Sequence, residues 1–342
     1  MQLSEPSICI LPKLDGHGGP SLFHSKLSAV LAARGVATHH DVRIEGTRAL
    51  LVIGATRALG DLVYAKTHGI RIVQRLDGMN WLHKRQSTGL RHYLRSERMN
   101  LQLSFIRRYL ADAIVYQSKF TRDWWNTVYG SLKKPSWVVH NGVDLNIFSP
   151  NGKGIPPKDC IRLLVVEGSF KGGHERDLFN AVDAAQQLSD LLEKPVELAV
   201  AGNAPQELRK QVRLVRSASI HWLGVLPHQD IPVLDRSAHI LFPAEINAAC
   251  PNSVIEALAC GLPVVSYATG SIPELIGDEG GITVPYGANY WNLEAPNTEP
   301  LARAAVEVLK NLDKYRASAR KRAEENFDLE KMVDSYQHIL LD

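Results

Sequence analysis

Ala248-Ala249-Cys250-Pro251-Asn252-Ser253-Val254-Ile255-Glu256-Ala257-Leu258-Ala259-Cys260-Gly261-Leu262-Pro263, running on into Val264-Val265, is the stretch on which the reading of this chain turns. Pro251, Asn252 and Ser253 open a helix, since proline at a helix start lacks only an N–H that the helix would leave unpaired. Gly261 and Pro263 stop it, and a buried apolar strand follows. Such a helix start offers unpaired N–H groups and a positive dipole end, which suit a pyrophosphate. Glu256, one turn further in, can accept two hydrogen bonds from a ribose diol. The competing structural reading is a capping box, with Ser253 and Glu256 three positions apart; Pro251 at the helix start fits that box poorly.

Working outward, strands alternate with helical patterns, as in a parallel sheet covered on both faces. Residues 7–11 read as the first strand, followed by a glycine-rich turn through Gly18 and Gly19 and a helix over 21–33. Further strands are expected at 49–53, 70–74, 113–116 and 137–139. A segment rich in Gly, Pro and Lys, 149–158, separates these from a second set at 161–166, 196–201, 220–223, 240–243 and 263–267. Residues 327–341 form an amphipathic terminal helix. At 342 residues the chain is long enough for two cores of about 150 residues each.

An ordered set of short motifs gives this layout a relative. Gly18-Gly19, Ala111-Asp112, Gln117-Ser118, His140-Asn141-Gly142-Val143-Asp144, Phe148-Ser149-Pro150, Lys171-Gly172, the Glu256 helix, Gly270 and Pro273-Glu274 follow one another over nearly the whole chain. In this the chain resembles the retaining glycosyltransferases of the GT-B fold, family 4, also called glycosyl transferases group 1. The resemblance implies an α/β protein of two Rossmann-like parallel-sheet domains facing each other across a cleft. Residues 1–148 would be the acceptor-side domain and 149–326 the nucleotide-sugar domain, with 327–342 crossing back to the first. The implied reaction moves a sugar from a nucleoside diphosphate donor to an acceptor hydroxyl with retention of configuration.

On this reading Lys171 and Glu256 carry the catalytic assignment, Lys171 at the diphosphate and Glu256 at the ribose. Gly18, Gly19, Gly168, Ser169, Asn252, Ser253 and Val254 complete the donor site. The glycines let backbone N–H groups approach a phosphate, and Lys171 follows a strand at the edge where open α/β sheets bind ligands. Arg75 and Asp77, after the strand at 70–74, are acceptor-side candidates. His17 and His140 read equally as loop residues or catalytic ones. Two departures from the family pattern stand out: Ala248 occupies the position, eight before Glu256, where relatives carry a sugar-reading glutamate, and Ser169 stands where they carry an arginine. Glu245, Asn247 and Asn252 are nearby polar candidates for the sugar, and Arg176 for the phosphate. These departures keep a second class of function open, a non-catalytic GT-B module that binds a nucleotide sugar or a partner. A third class, a sugar-nucleotide epimerase, is disfavoured by the Gly-Val-Asp junction and the segment 252–265.

No Asp-x-Asp pair occurs, so neither a metal nor a cofactor is expected beyond the donor itself. With 39 basic against 36 acidic residues, overall charge does not point to nucleic acid. The four cysteines are scattered without metal-binding spacing, which reads as a reduced, cytoplasmic protein. The start of the chain lacks the pattern of a signal peptide, and no apolar run approaches the roughly 18 residues of a spanning helix. A basic segment over 83–108 nevertheless holds Lys84, Arg85, Arg91, Arg95, Arg98, Arg107 and Arg108 against Glu97 alone. With Tyr93, Leu94, Leu101, Leu103, Phe105 and Ile106 interleaved, it reads as a solvated helix face or as a peripheral contact with anionic membrane at the inner face.

Overall fold

The computed structural model describes residues 6–14, 16, 18–170, 175–215 and 219–342. The chain forms two compact units, 1–142 with 329–342, and 143–328. Each is built on a six-stranded sheet whose strand pairings are all parallel.

In the first unit the strands are β1 (Ser7–Leu11), β2 (Ala37–His39), β3 (Thr47–Ile53), β4 (Arg71–Leu76), β5 (Ala113–Tyr116) and β6 (Ser136–Val138), in the order β2-β1-β3-β4-β5-β6. The helices are α1 (Gly19–Ala33), α2 (Leu59–Thr67), α3 (Leu90–Phe105) and α4 (Lys119–Tyr129). The central strands are largely apolar because both faces are covered, and alternate side chains go to opposite cores. Ile8, Ile10, Leu51, Val73 and Val115 pack with Phe23, Leu27 and Leu31 of α1. Cys9, Leu11, Leu50, Val52 and Ile72 pack with Leu62 and Ala65 of α2.

The second unit carries β7 (Ile161–Ser169), β8 (Val196–Asn203), β9 (Ser219–Gly224), β10 (Ile240–Leu241), β11 (Val264–Tyr267) and β12 (Gly281–Val284), ordered β12-β11-β10-β7-β8-β9. Between and after them run α5 (Glu175–Leu192), α6 (Gln206–Val215), α7 (Ile231–Arg236), α8 (Asn252–Ala259), α9 (Ile272–Ile276), α10 (Glu299–Lys310) and α11 (Leu312–Asn326). β12 has no counterpart in the sequence reading, since four residues opened by a glycine carry too little periodicity to announce a strand.

The last helix, α12 (Leu329–Leu341), belongs to the first unit: Val333, Tyr336, Ile339 and Leu340 complete its core, and the Tyr336 ring lies 5.0 Å from that of Phe23. At Gly142 a Cβ would come within 2.8 Å of the Leu329 Cα, so glycine permits this approach. The first unit's opening segment ends at Gly142 rather than at 148, because Val143 and Phe148 are buried in the second core. Phe327 is buried there too, so the terminal helix begins two residues later than its hydrophobic pattern implied.

Candidate functional site

In the second sheet the strand order runs from β7 to β8 and β9 in one direction and from β7 to β10, β11 and β12 in the other. Where the order reverses, the loops leaving the carboxyl ends of the two strands diverge and a ligand-sized crevice opens. The segments after β7 and after β10 both leave at this reversal. Gly168 and Ser169 are exposed there, and no atom of the described residues lies within 4 Å of where a Gly168 Cβ would sit. β7 extends to Ser169, three residues past the strand expected at 161–166, and Phe170 is wholly buried. Lys171 and the side chain of Arg176 lie outside the described residues.

The loop after β10 is locked from below. Ser271 N–H donates to the Ala248 carbonyl at 2.9 Å, and Gly270, at φ +59, runs so close that a Cβ would sit 2.6 Å from the Ala248 nitrogen. The Ala248 methyl is fully buried. Asn247 beside it adopts φ +61, a conformation that asparagine tolerates better than most side chains. Asn247 is 3% exposed, and neither its amide oxygen nor its nitrogen meets a hydrogen-bonding group among the described residues. An amide left in that state costs about 1–3 kcal/mol, and few native side chains are left so.

The loop feeds α8, whose N-cap is Pro251, with no side-chain cap. Ser253 therefore sits inside the helix, and the capping box is not formed. The buried Glu256 carboxylate instead meets His228, Oε1 to Nε2 at 2.8 Å. His228 stands in a short turn before α7, its ring 5.2 Å from Phe148. Asp235 of α7 is buried nearby; burial first, then the Glu256 charge, hold its carboxyl well above the usual range. Burial likewise pushes Glu167, near the end of β7, up to about 8, with Glu245 adding to the shift and the Ala244 N–H opposing it.

In the first unit the strand order reverses between β1 and β3, and the loop after β1 leads into α1. Gly18 is the N-cap of α1, with no side-chain cap, and Gly19 is its first residue. Both are exposed. Asp77 follows β4; burial raises its carboxyl and the Arg75 charge partly counters that.

Residues 164–311 match the family model for Glycosyl transferases group 1. That stretch belongs to the glycosyl transferases group 1 family. The whole chain has the GT-B fold. It resembles a solved sucrose-phosphate synthase of Thermosynechococcus elongatus with a TM-score of 0.72 at 16% identity, over 98% of each chain. Its TM-score to Anabaena HepE, solved with UDP and glucose, is 0.67 at 15% identity, over 98% of this chain and 99% of that one. D-inositol 3-phosphate glycosyltransferase of Mycobacterium bovis is 30% identical over 43% of this chain, and the match spans 31% of that protein.

Within the matched stretch Gly168 and Ser169 lie at the end of β7, while Asn252, Ser253, Val254 and Glu256 lie in α8, after the loop that leaves the neighbouring strand β10; Val254 is itself wholly buried. In the first unit Arg75 needs correction. It lies within β4 rather than after it, is 2% exposed, donates to Asn141 Oδ1 at 2.7 Å and stacks 3.8 Å over the Phe23 ring. The guanidinium braces the strand end. Asp112 and Ser118, among the family landmarks, also have structural duties. Asp112 accepts from the Ile72 N–H at 2.9 Å, and Ser118 caps α4 through the Thr121 N–H at 3.0 Å. Sequence reading missed His228 and Asp235. A histidine just after a proline, in a turn following a strand, was the only local signal for His228; Asp235 gave none.

Proposed function

We propose that this protein is a retaining glycosyltransferase that moves a sugar from a nucleoside diphosphate donor to an acceptor hydroxyl. The observation that carries the reading is Glu256, a buried carboxylate in α8 directly after the β10 loop, within a matched group 1 domain. The ribose diol donates to Glu256, whose Oε1 keeps His228 as a second partner, since a carboxylate oxygen accepts more than one hydrogen bond. His228 is thereby a positioning residue. The diphosphate sits at the α8 N-terminus beside Gly168 and Ser169, with Lys171 and backbone N–H groups neutralising it.

In the reaction the bond from the anomeric carbon to the donor phosphate oxygen breaks and one from the acceptor oxygen forms on the same face. The acceptor proton passes to the departing phosphate oxygen, so no protein base is required. Charge on the leaving diphosphate is held by Lys171, the helix dipole and amides, without a metal. The UDP bound in the HepE structure supports a uridine donor as the first to try.

The test is to incubate the protein with a panel of nucleotide sugars and measure free nucleoside diphosphate. Release with one donor, persisting in chelator, with the product anomer matching the donor by NMR, supports the proposal. Donor binding without release favours the non-catalytic module, and no binding to any donor overturns both.

A further inference from the structure

We infer that the outer face of α3 in the first unit docks on a membrane surface rich in anionic lipid. α3 is inverted relative to an ordinary surface helix, which turns its apolar stripe inward. Its buried positions are Ser96, Asn100 and Leu103. Asn100 accepts from the Asn80 N–H at 3.1 Å and donates to the Asn80 carbonyl at 2.7 Å. Gln102 donates to the Thr56 carbonyl, and Glu97 pairs with His83 at 2.6 Å and Lys84 at 3.0 Å. The helix is thus fastened by polar contacts, while Leu90, Leu94, Leu101 and Phe105 are 74, 59, 61 and 47% exposed.

At about 100° per residue those four apolar side chains fall within an arc of about 60°. Arg98, Arg91 and Arg95, all exposed or half-exposed, occupy roughly the next 80° of the same face. The helix runs on into a π-helical turn, Ile106–Leu110, where Arg108 and Tyr109 are exposed and the Tyr109 ring packs 5.2 Å from Phe105. Arg107 does not join them. It is 1% exposed and donates to Tyr116, Gly130 and Asn126. Over residues 90–110 Glu97 is the only acidic residue.

The chemistry of the face selects its occupant. A second copy docked symmetrically would set arginine against arginine, because a two-fold interface pairs a patch with itself. Nucleic acid would satisfy the arginines and leave the leucines in water. A bilayer interface satisfies both, taking leucine, phenylalanine and tyrosine at the acyl boundary and arginine among anionic headgroups.

The test is cosedimentation of the full chain with phosphatidylcholine vesicles, with and without one-third phosphatidylglycerol. Binding is expected with the anionic vesicles at about 0.05 M salt and to weaken strongly at about 0.5 M. Each of Arg91→Gln, Arg95→Gln and Arg98→Gln is expected to lower partitioning about fivefold, the equivalent of about 1 kcal/mol. The double variant Leu94→Ser/Leu101→Ser is expected to abolish binding with its circular dichroism spectrum and Tm unchanged. Absence of binding to anionic vesicles at low salt overturns the inference. So does binding that these variants leave intact, or a concentration-dependent dimer that the leucine variant dissolves while vesicles bind neither form. None of these outcomes bears on donor turnover.

Discussion

α3 and α8 break the same rule in opposite directions. α8 is buried from Val254 to Ala259 yet carries a carboxylate inside, while α3 turns Ser96 and Asn100 inward and leaves Leu90, Leu94 and Leu101 in water. Neither arrangement maximises stability. In α8 the hidden charge is held by His228, in a helix that follows the loop leaving β10 beside the strand reversal. In α3 those three leucines gain little from the protein's own core, so their worth depends on something outside the chain. Departures from inside-apolar, outside-polar patterning mark functional positions, and the direction of the departure tells a small-molecule site from a docking face.

The largest contrast is in stability. Leu258→Ala, in the fully buried stretch of α8, should cost about 2–5 kcal/mol in denaturant unfolding; a cost below about 1 kcal/mol would mean that α8 is not the core helix described. Glu256→Gln should lower donor turnover about tenfold, the loss expected of one charge-assisted contact, with Tm unchanged or raised. A lowered Tm with full specific activity would make Glu256 structural and erase the contrast.

Asn247 sharpens the comparison, since its amide has no hydrogen-bonding partner among the described residues and stands in the loop that leads into α8. Asn247→Gly keeps the left-handed backbone and removes only the amide, so it should raise the donor KM about fivefold while leaving affinity for the sugar-free nucleoside diphosphate unchanged. Unchanged KM would show that asparagine serves the backbone alone. This variant replaces the more obvious Ala248→Glu, because a carboxylate at that fully buried methyl would have no water to solvate it.

Glu167 supplies a pH test of the same crevice. Folded Glu167 titrates near 8, against 4.5 for an ordinary glutamate, so the folded protein retains an extra proton between those values. Its contribution to stability is fully present below about pH 4.5 and is lost as pH rises towards about 8. Tm of Glu167→Gln followed over that window should therefore fall less than that of the parent; parallel curves would show that Glu167 titrates normally. Smallest of all, Leu101→Ser on α3 should change stability by no more than about 0.5 kcal/mol. A loss of several kcal/mol would place α3 in the core and end the comparison.

The local elements of the second unit were legible because they rest on local chemistry. Pro251 and Gly261 bracket α8, and runs such as 161–166 and 196–201 are apolar at nearly every position, as doubly covered parallel strands must be. Ser169 extends the strand past the run at 161–166 because its pairing with Asn203 comes from a neighbouring strand that local pattern does not reveal. Arg75 is placed past the strand for a like reason: it is held within β4 by Asn141 and Phe23, which lie far away in sequence. The basic segment 83–108 reads as one patch, and only the packing around Asn126, Tyr116 and Gly130 withdraws Arg107 from it.

The sequence alone therefore determined that this is a two-sheet α/β chain with a helix opened at Pro251 and closed at Gly261, since proline, glycine and apolar runs act over a few residues. The tertiary structure alone decided which polar groups meet. Glu256 with His228, Glu167 with Glu245, and Asn247, unpartnered among the described residues, depend on which strands adjoin and where their loops diverge. The outward face of α3 was decided the same way, for a helix pattern fixes which residues share a side, and only the partners Asn80, Thr56 and His83 fix which side faces in.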